Sequence, residues 1–518
     1  MLPCRGLVLR HIFPISGTLF KRLAPMVISN SFQFEARRGI CQLQSNGNDN
    51  FHTVRLRSPT ELKRGLQILL SILREPSLAG EIRELKLDRT PGLSYRGDPY
   101  EIRPTQVLLP TEDLQRLQLA VKNAGLEGRG EDERVLNILL QDISKSRSSF
   151  DKYLYFQAQA LAVMLVSLAP RLESLAFCPL GLQQPLETYM FENFLRRAIA
   201  EKRDVPGLRN LRSVRFLSDI DNLGDDGTLY WDYEVHDCLN LIRELPTIES
   251  VRFDGIQPSL DVGMWPPPRS ANYTDIMFYH CIMHSPEELD IILQSAKRLR
   301  KFVFTVGGRS ERGYDISPVS PIDTLESLLT HRHTLEELDL DIQGHLTLPE
   351  MLGEDHDAFH SGSFDEDEEL EKWVAQKKEI LAVESPAPEC SLRSFPNLKH
   401  LSIGTHVLYS YTRGFGAGRL KEPFSLIDNL PPRLESLRLY GYGLPGEYPH
   451  RSKRSLDLDV EAQIAMLLKQ KDTKLPSLKV IEGIDTPIPH GHTVEDCTGD
   501  RHLLWQREDD ERRAHNDN

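Results

Sequence analysis

Cysteine is scarce and scattered. The seven residues (4, 41, 178, 238, 281, 390 and 497) are odd in number, lie at least 35 positions apart and form no C-x-x-C. This excludes a disulfide framework and reads as reduced thiols in a cytoplasmic or nuclear protein. Long apolar runs are missing too, which argues against an integral membrane protein. No Gly-x-Ser-x-Gly, His-Glu-x-x-His or comparable nucleophile arrangement occurs in 518 residues, so the sequence reads as non-enzymatic, with no cofactor expected. Basic residues are absent from 350–371 (EMLGEDHDAFHSGSFDEDEELE), which holds ten acidic residues. Without that stretch the net charge of −14 falls to −4. The remainder is near neutral, and no nucleic-acid surface is expected. The acidic stretch itself reads as a solvated, disordered insertion spanning residues 345–394. At the other extreme, no acid precedes Glu35, while Arg5, Arg10, Lys21 and Arg22 do. That resembles a mitochondrial presequence and gives a mitochondrial location as the alternative, although Pro3, Pro14 and Pro25 interrupt any long helix there.

What is present is a repeated hexad of the form L-x-x-L-x-L. It runs Phe51-x-x-Val54-x-Leu56, Ile82-x-x-Leu85-x-Leu87, Leu172-x-x-Leu175-x-Phe177, Leu211-x-x-Val214-x-Phe216 and Ile248-x-x-Val251-x-Phe253. It continues as Leu299-x-x-Phe302-x-Phe304, Leu335-x-x-Leu338-x-Leu340, Leu398-x-x-Leu401-x-Ile403 and Leu434-x-x-Leu437-x-Leu439, with a degraded copy in LPSLKVIEGI at 475–484. Several intervals are close to 36 residues; the longer ones (90, 51 and 63) imply missed repeats or insertions. Before three hexads stand Ser58-Pro-Thr-Glu61, Ser285-Pro-Glu-Glu288 and Ser320-Pro-Ile-Asp323, each a capping box in outline with proline at the first helical position. The unit is therefore helix, turn, strand.

One such unit cannot bury its own apolar face, so units must stack. The expected fold is α/β: an irregular leucine-rich-repeat solenoid over residues 49–485, with a parallel concave sheet and helices outside. The large apolar positions point into the core and the intervening ones out of the concave face. Of these, Lys86, Arg215, Arg252, Lys301, Glu337, Asp339, His400 and Arg438 are the candidate partner-binding residues. No Asn stands at the usual ladder position after the hexad; Gln343, His406 and Tyr442 occupy it, which predicts long, irregular repeats.

TVRLRSPTELKRGLQILLSIL, HTLEELDLDI and LIDNLPPRLESLRLYGYG resemble fungal F-box and leucine-rich-repeat proteins, across most of residues 50–485. The resemblance implies a substrate receptor of a cullin-type (SCF) ubiquitin ligase, in which an N-terminal F-box holds a Skp1-type adaptor and the repeats hold a protein target. The F-box pattern is degenerate. Leu2-Pro3 is not followed by Glu, the Ile12-Phe13 pair comes two residues too late, and Pro14 interrupts the helix. Residues 1–48 are thus either a leader or an F-box remnant. The alternative function is an adaptor or scaffold with no ligase coupling.

Other motifs carry less. His331 and His333 lack a third ligand nearby and read as helix-end or surface residues. His356 and His360 sit four apart beside Asp355 and Asp357, among glycines that disfavour a helix. GFGAG at 414–418 lacks the Lys-Ser/Thr of a phosphate loop. Tyr409, Tyr411 and Phe415 are either an exposed aromatic anchor or packing over a repeat edge. Residues 486–518 read as a disordered polar tail, apart from LLW at 503–505.

Overall fold

In a computed structural model of the chain, the described residues are 51–87, 107–126, 130–142, 152–178, 190–217, 231–258, 264–283, 286–306, 321–342, 391–413, 425–442, 460–488 and 490. The N-terminal leader or F-box remnant, the acidic stretch with His356 and His360, GFGAG, Phe415 and LLW lie outside them.

The hexads form strands. In chain order the strands are β1 (Thr53–Arg55), β2 (Glu84–Leu87), β3 (Ser174–Phe177), β4 (Ser213–Phe216), β5 (Trp231–Tyr233), β6 (Ser250–Asp254) and β7 (Ile256–Pro258). They continue with β8 (Asp275–Tyr279), β9 (Lys301–Thr305), β10 (Glu337–Asp341), β11 (His400–Gly404), β12 (Ser436–Tyr440) and β13 (Val480–Glu482). Eleven of them build one parallel sheet in the order β1-β2-β3-β4-β6-β8-β9-β10-β11-β12-β13, while β5 pairs with β7 at the side. Strand order in the sheet is therefore chain order. The 51-residue interval does hide a strand: β8, whose hexad opens with Tyr273 instead of an aliphatic residue. The 63-residue interval adds no strand to the sheet, because β10 pairs directly with β11.

Helices α1 (Pro59–Arg74), α2 (Thr111–Asn123), α3 (Glu131–Leu139), α4 (Lys152–Leu168), α5 (Met190–Ala200) and α6 (Val235–Ile242) lie between the earlier strands. Helices α7 (Pro286–Ser295), α8 (Pro321–Leu329), α9 (Thr405–Arg413) and α10 (Val460–Lys474) lie between the later ones. The first capping box forms as its sequence dictates. The Glu61 N–H donates to Ser58 Oγ at 3.3 Å, and the Ser58 N–H donates to Glu61 Oε2 at 2.8 Å. Helices α7 and α8 begin at the prolines expected, Pro286 and Pro321. The long interval after β2 contains α2–α4. The apolar α4 packs against α1, α3 and α5, and its residues from Phe156 to Val166 are buried on all sides. A two-point ion pair fixes α2 to α1: Arg74 Nε and Nη2 donate to Asp113 at 3.0 and 2.5 Å. The Arg74 guanidinium holds the Asp113 carboxyl below the usual carboxylate range.

One apolar cluster joins the helix-side residues of the sheet to the helices. Register stacks identical positions, and the sixth hexad position becomes a phenylalanine ladder: Phe177, Phe216, Phe253, Phe278 and Phe304. Successive ring centroids lie 5.1, 4.9, 4.8 and 6.2 Å apart, and every ring is buried. Such pairs add roughly 0.5–1.5 kcal/mol beyond burial. The second hexad position forms another ladder, through main-chain bonds such as Glu173 N–H to Arg83 C=O and Glu249 N–H to Arg212 C=O. Its side chains alternate in charge: Arg83, Glu173, Arg212, Glu249, then Thr274, Arg300, Glu336, Lys399, Glu435 and Lys479. Arg83 bonds Glu173, and Lys399 bonds Glu336 at 2.9 Å. Exposed pairs of this kind contribute little individually, and the alternation keeps like charges off adjacent rungs.

Among the described residues, no helix is long and apolar enough to cross a membrane.

Candidate functional site

A strand alternates its side chains, so the third and fifth hexad positions project from the sheet face opposite the helices. The register arranges all eight residues singled out from the sequence on that face. Lys301, Glu337 and His400 fall in one row; Lys86, Arg215, Arg252, Asp339 and Arg438 fall in the next. They do not converge on one point. Two clusters stand out, and in the row that joins them Met277 and Val303 lie between.

The first cluster is basic. Arg215 and Arg252 are register partners on β4 and β6, and both turn onto Asp254. Arg215 Nε donates to Oδ2 at 2.6 Å; Arg252 Nε and Nη2 donate to Oδ1 at 3.0 and 2.6 Å. Asp254 is 1% exposed, and two guanidiniums supply its hydrogen-bond donors. Arg252 lies over the Tyr279 ring, 4.3 Å from its centroid. Arg215 Nη2 is buried with no hydrogen-bond partner. Ser250 Oγ donates to Ser213 Oγ at 3.0 Å on the same two strands. Lys86, further along, pairs with Glu84 at 3.3 Å.

From Arg252 the row continues in register through Met277 and Val303 to Asp339. There the second, acidic cluster begins. Burial pushes the Asp339 carboxyl up to about 6; a hydrogen bond from Tyr440 Oη at 2.9 Å offsets this, and Asp341 on the same strand adds to it. Asp341 is bonded by His490 Nδ1 at 2.5 Å, and both are buried. Burial, followed by the nearby Asp339 charge, pushes the Tyr440 phenol above its ordinary range. Burial likewise pushes the His406 imidazole down to about 4. The remaining candidates pair locally. Lys301 meets Glu337 at 2.6 Å, His400 Nδ1 meets Ser436 Oγ at 2.9 Å, and Arg438 bonds Glu482 at 2.7 Å.

Sequence reasoning missed the third row on this face, at the position just after the hexad: Asp254, Tyr279, Asp341 and Tyr440. The signal was available, since these strands run five residues and the alternation carries one step further. It also missed His490. The tail expected to be disordered from 486 begins with placed residues. Ile488 bridges to Tyr440, the Gly441 N–H donates to the Ile488 carbonyl at 2.8 Å, and His490 docks on Asp341. Proximity to a buried carboxylate and a sheet edge, neither legible from the tail's polar composition, holds it.

The other motifs resolve into packing. His331 is buried: Nδ1 accepts the Leu299 N–H at 3.3 Å and Nε2 bonds the Leu293 carbonyl at 2.9 Å, tying the end of α7 to the next turn. It is a link between repeats and not a surface residue, because the turn before β9 leaves those two main-chain groups facing it. His333 is exposed and accepts from Arg332. Tyr411 is fully buried and Tyr409 half-buried, so this pair packs against the repeats. Among the described residues, no group of three or more His, Cys, Asp or Glu is arranged to hold a metal ion. No protein-family model matches the chain, and no curated protein matches it either.

Proposed function

We propose that this is an irregular leucine-rich-repeat solenoid that recognises another protein through the concave face of its sheet, without catalysis. The observation that carries this reading is the register. Eleven strands in chain order stack equivalent positions, and the face away from the helices presents rows of unlike polar, charged and apolar side chains. A surface that varies from strand to strand while its scaffold repeats suits recognition of an extended protein target. The resemblance in sequence makes it a receptor-like component of an SCF-type ubiquitin ligase, holding a Skp1-type adaptor through residues 1–48. A second reading, an adaptor or scaffold with no ligase coupling, is favoured by the misplaced Ile12-Phe13 pair and the absent Glu after Leu2-Pro3.

Affinity purification of the full-length protein from its own cell type separates the two. Recovery of both Skp1 and a cullin supports the receptor. Recovery of other partners without them supports the scaffold. Retention of every partner after Ser402→Trp, which blocks the face beside Asp339, would overturn recognition through the sheet.

A further inference from the structure

We infer that Arg215 and Arg252 form a receiving site for a carboxylate of the protein partner, an Asp or Glu side chain flanked by an apolar residue. The inference rests on the concave face being the recognition surface. Two guanidiniums share the single carboxylate of Asp254, leaving the trio with one net positive charge. Asp254 engages Arg215 only through Nε, so Arg215 Nη2 is a buried donor with no acceptor. A buried donor left unpaired is unfavourable, and a shift of the Arg215 side chain that brings Nη2 to the face lets a partner's oxygen remove that cost. Arg252 is held flat by Tyr279 and by its bonds to Asp254, so little order is lost on binding. The two side chains remain 16% and 18% exposed, so part of each still reaches the open face.

The neighbours define the occupant further. The Ser213 and Ser250 hydroxyls lie in the adjoining row of the same two strands. Met277, the register partner of Arg252, supplies an apolar neighbour. One net charge and one orphaned donor match a monoanion. A phosphate dianion would leave the trio with a net negative charge.

The test uses the full-length protein and three fluorescein-labelled peptides in fluorescence anisotropy: one alternating Glu and Leu, its Gln–Leu counterpart, and one with phosphoserine in place of Glu. The Glu peptide is expected to bind at least tenfold tighter than the Gln peptide and to weaken with added salt. Arg215→Gln and Arg252→Gln are each expected to abolish that preference, while Lys399→Gln on the exposed charge ladder leaves it intact. Asp254→Asn, which releases both guanidiniums, is expected to tighten binding several-fold, an effect that a purely structural role would not produce. Circular dichroism and thermal melting establish that each variant is folded.

Equal binding of Glu and Gln peptides, a preference surviving both arginine variants, or tighter binding of the phosphoserine peptide would each overturn the proposal. Partners lost with Ser402→Trp but retained by both arginine variants would sink this site alone. Partners retained by all three would sink the recognition reading itself.

Discussion

Tyr440 reaches across a whole strand to donate its phenolic hydrogen to Asp339, two strands away. Gly404, its register partner on the intervening β11, has no side chain to block the ring. The bond gives a half-buried carboxylate a donor at the heart of the acidic cluster. Tyr440→Phe is expected to raise the Asp339 pKa above its already elevated position, which NMR titration of the Asp339 carboxyl carbon would read. An unchanged midpoint would show that the hydroxyl does not sense the charge.

The same carboxylate links stability to acidity. Its folded pKa of about 6 exceeds the ordinary unfolded value near 3.9, so the native state binds the proton more tightly. The favourable contribution is complete below about pH 4 and is lost as pH rises through 6. Asp339→Asn has no such dependence. It should match wild type near pH 4 and exceed it at pH 7.5 by up to roughly 3 kcal/mol in urea titrations. A less stable variant at pH 7.5 would mean the charge is compensated.

The phenylalanine ladder concentrates packing energy. Phe253 is fully buried and stacks on Phe216 and Phe278 from either side. Phe253→Ala is expected to cost about 3–5 kcal/mol, and Phe253→Leu distinctly less, because the latter leaves a smaller void. Denaturant melts of both would check the ordering.

Charge alternation at the second hexad position keeps like charges apart on adjacent strands. Arg212→Glu places acids at three consecutive rungs, between Glu173 and Glu249. A loss of about 1 kcal/mol is expected at low ionic strength, shrinking in 1 M salt. A loss independent of salt would point to packing instead.

Gly483 holds the turn that leads the chain back to Tyr440. Its φ is +88°, and a methyl there would lie 2.1 Å from the Leu439 carbonyl oxygen. Gly483→Ala should therefore release the 486–490 segment and speed hydrogen exchange of the Gly441 amide, which bonds Ile488. Unaltered exchange would show that the segment is held by His490 alone.

Much of this architecture was readable from the chain. The hexads located ten of the eleven sheet strands, because two alternating apolar positions, the fourth and sixth, are what a strand buried on one face requires, and the first anchors the turn before it. β8 escaped because Tyr273 opens its hexad: the buried ring takes an aliphatic place and satisfies its hydroxyl on Ser295 Oγ at 2.7 Å. The register sets the candidate residues in two rows, since every strand alternates its side chains in the same way. Which of them meet was not readable. The convergence of Arg215 and Arg252 needs Asp254, and the fate of Asp339 needs Tyr440, some hundred positions away. Nor could periodicity reveal that His331 serves main-chain groups of the preceding repeat. Such contacts depend on how units stack, which spacing within a unit does not encode.

A sheet whose strand order is its chain order has a mechanical consequence. Tension applied at the two ends of the sheet bears first on an outermost strand, since no strand is threaded between later ones. The protein would then yield rung by rung from its ends, as a sawtooth of small releases, and the strands still seated would keep their register while their neighbours were being drawn away.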